Sequence, residues 1–149
     1  MGLRDNKTFL SVDQAVTAQA VSTYSQNKGT PKAGINTSAT PLFLHALVKT
    51  TLTDGGSNAG TNIDLVDATT EDLGTNLAVV KAAVLSFAQG AVAGTHKSDF
   101  IPGEAYPSLQ QYWGVRFTPV TANLTGGTFD VWHSEQRELI QTMPASFTV

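Results

Sequence analysis

The stretch 109–136 constrains the fold more than any other part of the chain, because both of its halves show the period-two pattern of β-strands. The first half directs its large apolar residues to one face, and they are Leu109, Trp113, Val115 and Phe117. The second half, 128–135, directs Phe129 and Val131 to one face and Trp132 to the other. A glycine-containing turn joins the halves, so we predict one long antiparallel hairpin. A strand that is apolar on both faces needs cover on both, from another sheet, a subunit or a partner.

Before this stretch, short β-like runs alternate with turn-forming segments. Strands are predicted within the ranges 13–24, 41–52, 62–69 and 96–103. Loops, turns and linkers are predicted over 25–40, 53–60 and 90–94. The glycine-rich stretches 54–57 and 125–128 lack the spacing and the lysine of a phosphate-binding loop, so we interpret them as hairpin turns.

The segment 71–88 fits two structures. Apolar residues recur in it at helical spacing, at Leu73, Leu77, Val80 and Val84, and two acidic residues suit the start of a helix. Against a helix, Gly74 breaks the pattern, and 79–87 is rich in β-branched and aromatic residues. We therefore favour a short turn followed by a strand.

Seven or eight predicted strands, without a helix or an internal repeat, indicate an all-β protein. We predict a jelly-roll-like antiparallel β-sandwich over 1–136. The remainder, 137–149, is predicted to be a C-terminal extension. It is too apolar to stay in solvent and too broken for one helix, because it contains Leu139, Ile140, Met143, Pro144 and Phe147. We expect it to dock on its own subunit or on a neighbouring one.

Composition limits the classes of function. The chain has 149 residues, the size of one domain that buries roughly two thirds of its unfolded surface. The lack of cysteine and of a signal-peptide pattern favours folding in a reducing cytosol. No apolar run approaches the roughly twenty residues of a membrane helix, and a net charge of -3 argues against nucleic-acid binding. The charged fraction of 14% favours a surface that packs on other proteins, although a β domain with loops rich in Thr and Gly explains it equally well.

Residues with catalytic or metal-binding chemistry are scattered. His45, His96 and His133 fall in separate predicted strands, without a paired spacing and without a cysteine to complete a zinc site. We interpret them as ordinary sheet residues and expect no metal and no other cofactor. No Gly-x-Ser-x-Gly elbow occurs, so we expect neither enzymatic activity nor a small-molecule substrate. Four carboxylates could gather a calcium ion, but a solvated acidic rim is preferred for Asp64, Asp67, Glu71 and Asp72.

Several short motifs resemble a known family. They are Asp-Gln-Ala-Val-Thr-Ala at 13–18, Pro-Leu-Phe-Leu at 41–44, and the run 112–117 followed by Thr-Gly-Gly at 125–127. Over most of 8–136 the chain is similar to the capsid cement proteins of tailed bacteriophages, of the Bordetella-phage kind. This resemblance implies a jelly roll, a homodimer and binding to the outer surface of a shell of major capsid protein, which the dimers clamp together. The loop 25–40 and the tail after 137 are longer than in the family pattern, so details of capsid contact are not carried over.

We therefore hypothesise a structural protein of the outer surface of a phage head, made in the host cytoplasm. Tyr112 and Trp132 are the candidates for a sheet-face interface, and Ile140 and Phe147 for docking of the tail. The main alternative is a carbohydrate- or receptor-binding jelly roll of a virion, because Tyr112, Trp113 and Trp132 could stack on a sugar. A cupin-like enzyme is a weaker alternative, since it requires clustered histidine and carboxylate ligands.

Overall fold

The computed structural model describes residues 9–27, 42–101 and 110–134, and in these ranges all regular structure is β-strand. The strands are β1 (Phe9–Ala15), β2 (Ala20–Val21), β3 (Gln26–Asn27), β4 (Leu42–Thr53), β5 (Gly60–Ala68), β6 (Ala78–Phe87), β7 (His96–Ile101), β8 (Tyr112–Val120) and β9 (Gly126–Ser134). They form two antiparallel sheets that pack face to face. The predicted all-β sandwich is confirmed.

The order of the strands is that of a jelly roll. Sheet A has the order β1-β9-β4-β7, and sheet B has the order β2-β8-β5-β6, with β3 also paired to β8. Because β2 and β3 follow one another along β8, they share one strand position, and each sheet has four positions. In the described part of the chain, β5 and β6 form the one hairpin, and most other connections pass to the opposite sheet.

The hairpin predicted over 109–136 is wrong, because its two halves belong to different sheets. β8 lies in sheet B between β5 and the short strands β2 and β3, whereas β9 lies in sheet A between β1 and β4. Their apolar faces meet across the core, where the rings of Phe117 and Phe129 are 5.3 Å apart. The alternation identified the buried faces correctly, but it carries no information about which strand is the hydrogen-bonded neighbour.

The glycine-rich stretches predicted as hairpin turns also connect different sheets. Residues 54–57 lie between β4 and β5, and 125–128 lie at the start of β9. Gly127 has a φ of 138°, and a Cβ at this position would lie 2.5 Å from the side chain of Leu52. Glycine therefore allows β9 to approach β4 closely.

The strand predicted over 13–24 is interrupted. β1 ends at Ala15, and the chain bends before β2 begins. The Gln14 side chain stabilises this corner, because its amide nitrogen donates to the carbonyl of Val21 and its amide oxygen accepts from the N–H of Thr23. Within the loop predicted over 25–40, the described part contains the short strand β3. The rest of that loop and the extension 137–149 lie outside the described residues.

The core lies between the inner faces of the two sheets. Its largest fully buried apolar members are Leu10, Leu44, Ile63, Leu65, Ile101, Phe117 and Phe129. Burial of each such side chain contributes roughly 1.5–3 kcal/mol relative to exposure. No disulfide is present, so this apolar contact is the main force that holds the sheets together.

The outer face of sheet B carries a second, smaller apolar cluster. It consists of Val66, Ala68 and Leu73, with Val21 and Tyr112 packed against it. As predicted for 71–88, a turn over 69–77 precedes β6, and it folds back over the sheet so that Leu73 is only 1% exposed. Gly114 makes room for Leu73, since a Cβ there would lie 2.7 Å from Leu73 Cδ1. The second apolar face of sheet B is thus covered by the chain's own turn.

A buried ion pair lies on the same face. Asp64 accepts hydrogen bonds from Arg116 Nη2 at 2.9 Å, from Thr118 Oγ1 at 2.7 Å and from the N–H of Ala83 at 2.8 Å. Ala83 has a φ of 49° in an irregular part of β6, where the pairing with β5 shifts register on either side of Leu65. Burial is the largest influence and raises the pKa of Asp64, but the bonds from Ala83, Thr118 and Arg116 together hold that pKa below its usual value. The ionised carboxylate therefore fixes the bulge in β6.

Replacing Leu73→Ala should destabilise the protein by about 2–4 kcal/mol, because it empties the centre of the outer cluster on sheet B. The free energy of unfolding in urea measures the effect. Leu77→Ala is the matched control, since Leu77 precedes β6 and is 37% exposed, and it should cost less than about 1 kcal/mol. Equal losses in the two variants would show that the turn does not cover the sheet.

Candidate functional site

The two residues predicted for a sheet-face interface lie on the outer faces of different sheets. Tyr112 is half-buried against the Leu73 cluster of sheet B, and its role in an interface stays a prediction. Trp132 lies on the outer face of sheet A, as the alternation predicts, but it is 0% exposed. The prediction that Trp132 contacts a partner is therefore corrected, because its ring packs inside the protein. Ile140 and Phe147 lie outside the described residues.

Trp132 belongs to an aromatic cluster on the outer face of sheet A. His45 of β4 and His96 of β7 have ring centroids 5.2 and 5.6 Å from that of Trp132, with ring planes within 16° of parallel. Phe9 of β1 packs on the same indole at 6.1 Å. The exposed fraction is 0% for His45 and 5% for His96. We call His45, His96 and Trp132 the histidine–tryptophan cluster.

Hydrogen bonds link the two imidazoles and a hydroxyl in series. His45 Nδ1 and His96 Nε2 are 3.1 Å apart, and His45 Nε2 is 2.7 Å from Ser134 Oγ. In the contact between the imidazoles one nitrogen donates and the other accepts, so a single proton lies between them. The Ser134 hydroxyl can donate or accept, and both neutral tautomers of His45 fit this arrangement.

The sequence did not reveal this cluster, because its two histidines are 51 residues apart. The pairing of β4 with β7 sets Leu47 opposite His96 and His45 opposite Ser98, which brings both imidazoles to the outer face. The face itself could be predicted, since His45 lies between the core residues Leu44 and Ala46. The identity of the neighbouring strand could not.

Two edge strands, β6 of sheet B and β7 of sheet A, lie along the same side of the sandwich. We call this side the open side. A shallow cleft of about 470 Å³ lies between them, lined by 83–86 and 96–99. Lys97 crosses this gap, because its ammonium donates to the carbonyl of Ser86 and lies 5.5 Å from the ring centroid of Phe87. An inward-pointing charge on an edge strand hinders the addition of a further strand.

Both edge strands expose apolar side chains, Phe100 on the outer face of sheet A and Val79 on the outer face of sheet B. Val79 of β6 is 42% exposed, Phe100 of β7 is 43% exposed, and Leu77 just before β6 is 37% exposed. The ring of Phe100 packs on that of Phe43 at 5.6 Å, which limits its freedom. We call Leu77, Val79 and Phe100 the edge residues. They lie near the end of the sandwich where β6 begins and β7 ends.

His133 closes the core at one end. It lies opposite Leu44 of β4, and its ring centroid is 5.4 Å from that of Trp113 in the other sheet. Burial lowers the pKa of His133 to about 4. Its Nε2 is buried without a hydrogen-bond partner in the described part of the chain. The folded protein therefore favours the neutral imidazole.

The described ranges contain no group of three or more His, Cys, Asp or Glu residues that could hold a metal ion. Three of the four carboxylates considered for calcium have protein partners. Asp64 binds Arg116, Asp67 accepts from the N–H of Gln110, and Asp72 accepts hydrogen bonds from Thr70 and Gly74. Within the same ranges, no helix is long and apolar enough to cross a membrane.

Comparisons with known proteins add no assignment. No protein-family model matches the chain, and a search of curated proteins finds no significant match.

The substitution His133→Gln should make the fold less sensitive to acid. The pKa of His133 is about 4 in the folded protein, against 6.5 for an unperturbed histidine, so below pH 6.5 the unfolded chain takes up the proton first. Stability therefore falls as the pH decreases from 6.5 towards 4, and His133 should account for about 2 kcal/mol of loss between pH 7.5 and 5. Urea unfolding at the two pH values measures it. An equal loss in the wild type and the variant would contradict the assignment.

Proposed function

We propose that the protein is a structural component of a phage particle, which binds the outer surface of the head as a homodimer and stabilises the lattice of the major capsid protein. In this proposal the chain is made in the host cytoplasm and its working place is the virion surface. The observation that carries the proposal is the apolar surface exposed on both edge strands, by Val79 on the outer face of sheet B and by Phe100 on the outer face of sheet A.

Two physical properties support an adhesive role for this side. Leu77, Val79 and Phe100 lie near the same end of the two edge strands, and aromatic residues are enriched in interfaces. The charged fraction of the chain, 14%, is well below the roughly 25% of an average soluble protein. Contact with another protein therefore requires the desolvation of few charges, each of which would oppose binding. The resemblance to capsid cement proteins agrees with both properties.

Each contact with the shell needs only modest affinity. A capsid presents many copies of the same surface, and a dimer engages two of them at once. The second contact then forms at an effective concentration near the millimolar range for short connections. Small apolar contacts such as those of the edge residues are sufficient under these conditions, whereas a monomeric receptor requires a larger or better packed interface.

The alternative, a carbohydrate-binding jelly roll, depended on aromatic rings that could stack on a sugar. Trp113 is 3% exposed and Trp132 is 0% exposed, so neither indole offers a face to a glycan. Tyr112 is half-buried against the outer cluster of sheet B. No specific observation favours this alternative over adhesion to a protein shell.

The proposal predicts that the protein cosediments with emptied shells assembled from the major capsid protein of the phage that encodes it. The variants Val79→Asp and Phe100→Asp place a charge on the edge residues, and this charge must be desolvated when a partner binds. Combined, they should weaken binding at least about tenfold, which corresponds to 1.4 kcal/mol. Titration of shells and measurement of bound protein give the affinity.

Val92→Asp is the control, because Val92 is 62% exposed in the loop 88–95, at the opposite end of β6 and β7. It should bind like the wild type, and thermal unfolding should show that all variants fold. A wild type that ignores the shells contradicts the function. Folded edge variants that bind normally contradict only the assigned surface. Deletion of 137–149 tests the predicted docking of the tail, and unchanged occupancy would remove it from the mechanism.

A further inference from the structure

We propose that the contact between His45 and His96 is an acid-sensitive latch that holds the edge strand β7 on sheet A. In mild acid, β7 detaches before the rest of the sandwich unfolds. The inference depends on the hydrogen bonding and burial of the two imidazoles, and it holds whether or not the protein binds a capsid.

The paired imidazoles can take up one proton but not two. With one added proton, His45 carries N–H on both nitrogens, and it donates to His96 Nε2 at 3.1 Å and to Ser134 Oγ at 2.7 Å. A second proton would set two N–H groups face to face and place two positive charges in a site where the rings are 0% and 5% exposed. Burial and like-charge repulsion both oppose this state. Binding of a second proton to the pair is therefore unfavourable while β4 and β7 stay paired.

The other charged groups on this face within the described residues do not change that conclusion. In the described part of sheet A they are Lys49 of β4, Asp130 of β9 and Asp13 of β1, and the Lys49 ammonium lies 3.6 Å from Asp130 and 3.8 Å from Asp13. The excess of one carboxylate favours the first proton on the histidine pair. A second proton would still place two positively charged imidazoles next to each other, with their nearest ring nitrogens 3.1 Å apart. Lys97 and Asp99 of β7 alternate with His96 and belong to the opposite face, as His133 of β9 does.

We expect repulsion between two protonated imidazoles to detach β7. It has six residues, lies at the edge of sheet A and pairs within the sheet with β4 alone, whereas β4 and β9 each pair on both sides. At its far end, Ile101 is buried in the core and Phe100 packs on Phe43. At its near end, the N–H of Val48 donates to the carbonyl of Thr95 and the N–H of Gly94 donates to the carbonyl of Val48, and His96 adds the side-chain contact with His45. Loss of the imidazole contact therefore removes a buried side-chain contact at this end and leaves it attached to β4 through hydrogen bonds of the backbone.

Hydrogen exchange on the full chain tests the latch. Protection factors at pH 7.5 and pH 5.0 correct for the intrinsic effect of pH on exchange. Because free histidine has a pKa of about 6.5, one refused proton should increase the opening constant roughly 30-fold at pH 5. We expect this loss of protection in the amides of β7 in a His133→Gln background, with a clearly smaller change in the paired amides of β5 and β8. Protection of β7 that changes no more than that of β5 and β8 would overturn the proposal.

A matched pair of variants assigns the effect to the latch. In His96→Gln, the amide oxygen can still accept from His45 Nδ1, but the side chain takes up no proton, so the acid response of β7 should disappear. His133→Gln removes a different buried histidine, and β7 should keep its response. Persistence of the response in folded His96→Gln would overturn the proposal.

A second measurement serves if His96→Gln does not fold. Nitrogen-15 NMR of the imidazoles counts the protons bound by the folded wild type. Uptake of only one proton by the pair between pH 7.5 and 5 supports the latch. Uptake of two protons near pH 6.5 with β7 still protected refutes it.

Discussion

The packing of β8 against β9 across the core is the contact on which the rest of the structure depends. The two strands follow one another in sequence, yet each lies at the centre of a different sheet, with partners on both sides. Ring contacts at two levels join them, between Phe117 and Phe129 at 5.3 Å and between Trp113 and His133 at 5.4 Å. The other strands form hydrogen bonds to these two or to their neighbours. The connection 121–125, which passes from sheet B to sheet A, therefore sets how the two sheets face each other.

Central strands with apolar residues on both faces leave each sheet with an outer apolar surface, and the protein covers the two surfaces differently. On sheet B, the turn 69–77 folds back and inserts Leu73. On sheet A, Trp132 is enclosed among polar rings, His45 and His96, which also form hydrogen bonds. An aliphatic cover is insensitive to pH, whereas in our proposal the imidazole cover accepts one proton and opposes the uptake of a second. The outer faces of the two sheets are therefore expected to respond differently to acid.

Alternation in the sequence was sufficient to predict the fold class and the faces of β8 and β9, because side-chain direction in a strand is a local property. The turn and strand over 71–88 could also be predicted, since Gly74 and the β-branched residues act locally. Sheet membership could not, because it depends on pairing between distant segments. The same limit explains the wrong hairpin, the unforeseen contact of His45 with His96, and the burial of Trp132, which faces outward as predicted but lies under its neighbours.

The open side combines exposed apolar side chains with a backbone that resists pairing. Asp64 holds the bulge at Ala83 in β6, and Lys97 points inward from β7, and both features hinder the addition of a further strand. Binding at this side must therefore use side chains such as Val79 and Phe100 rather than backbone hydrogen bonds. This distinction matters for a protein that we propose is displayed in many copies on one shell, because unprotected edges at such density would pair with one another. The latch that we propose would add to the same protection, since loss of β7 would expose the long edge of β4.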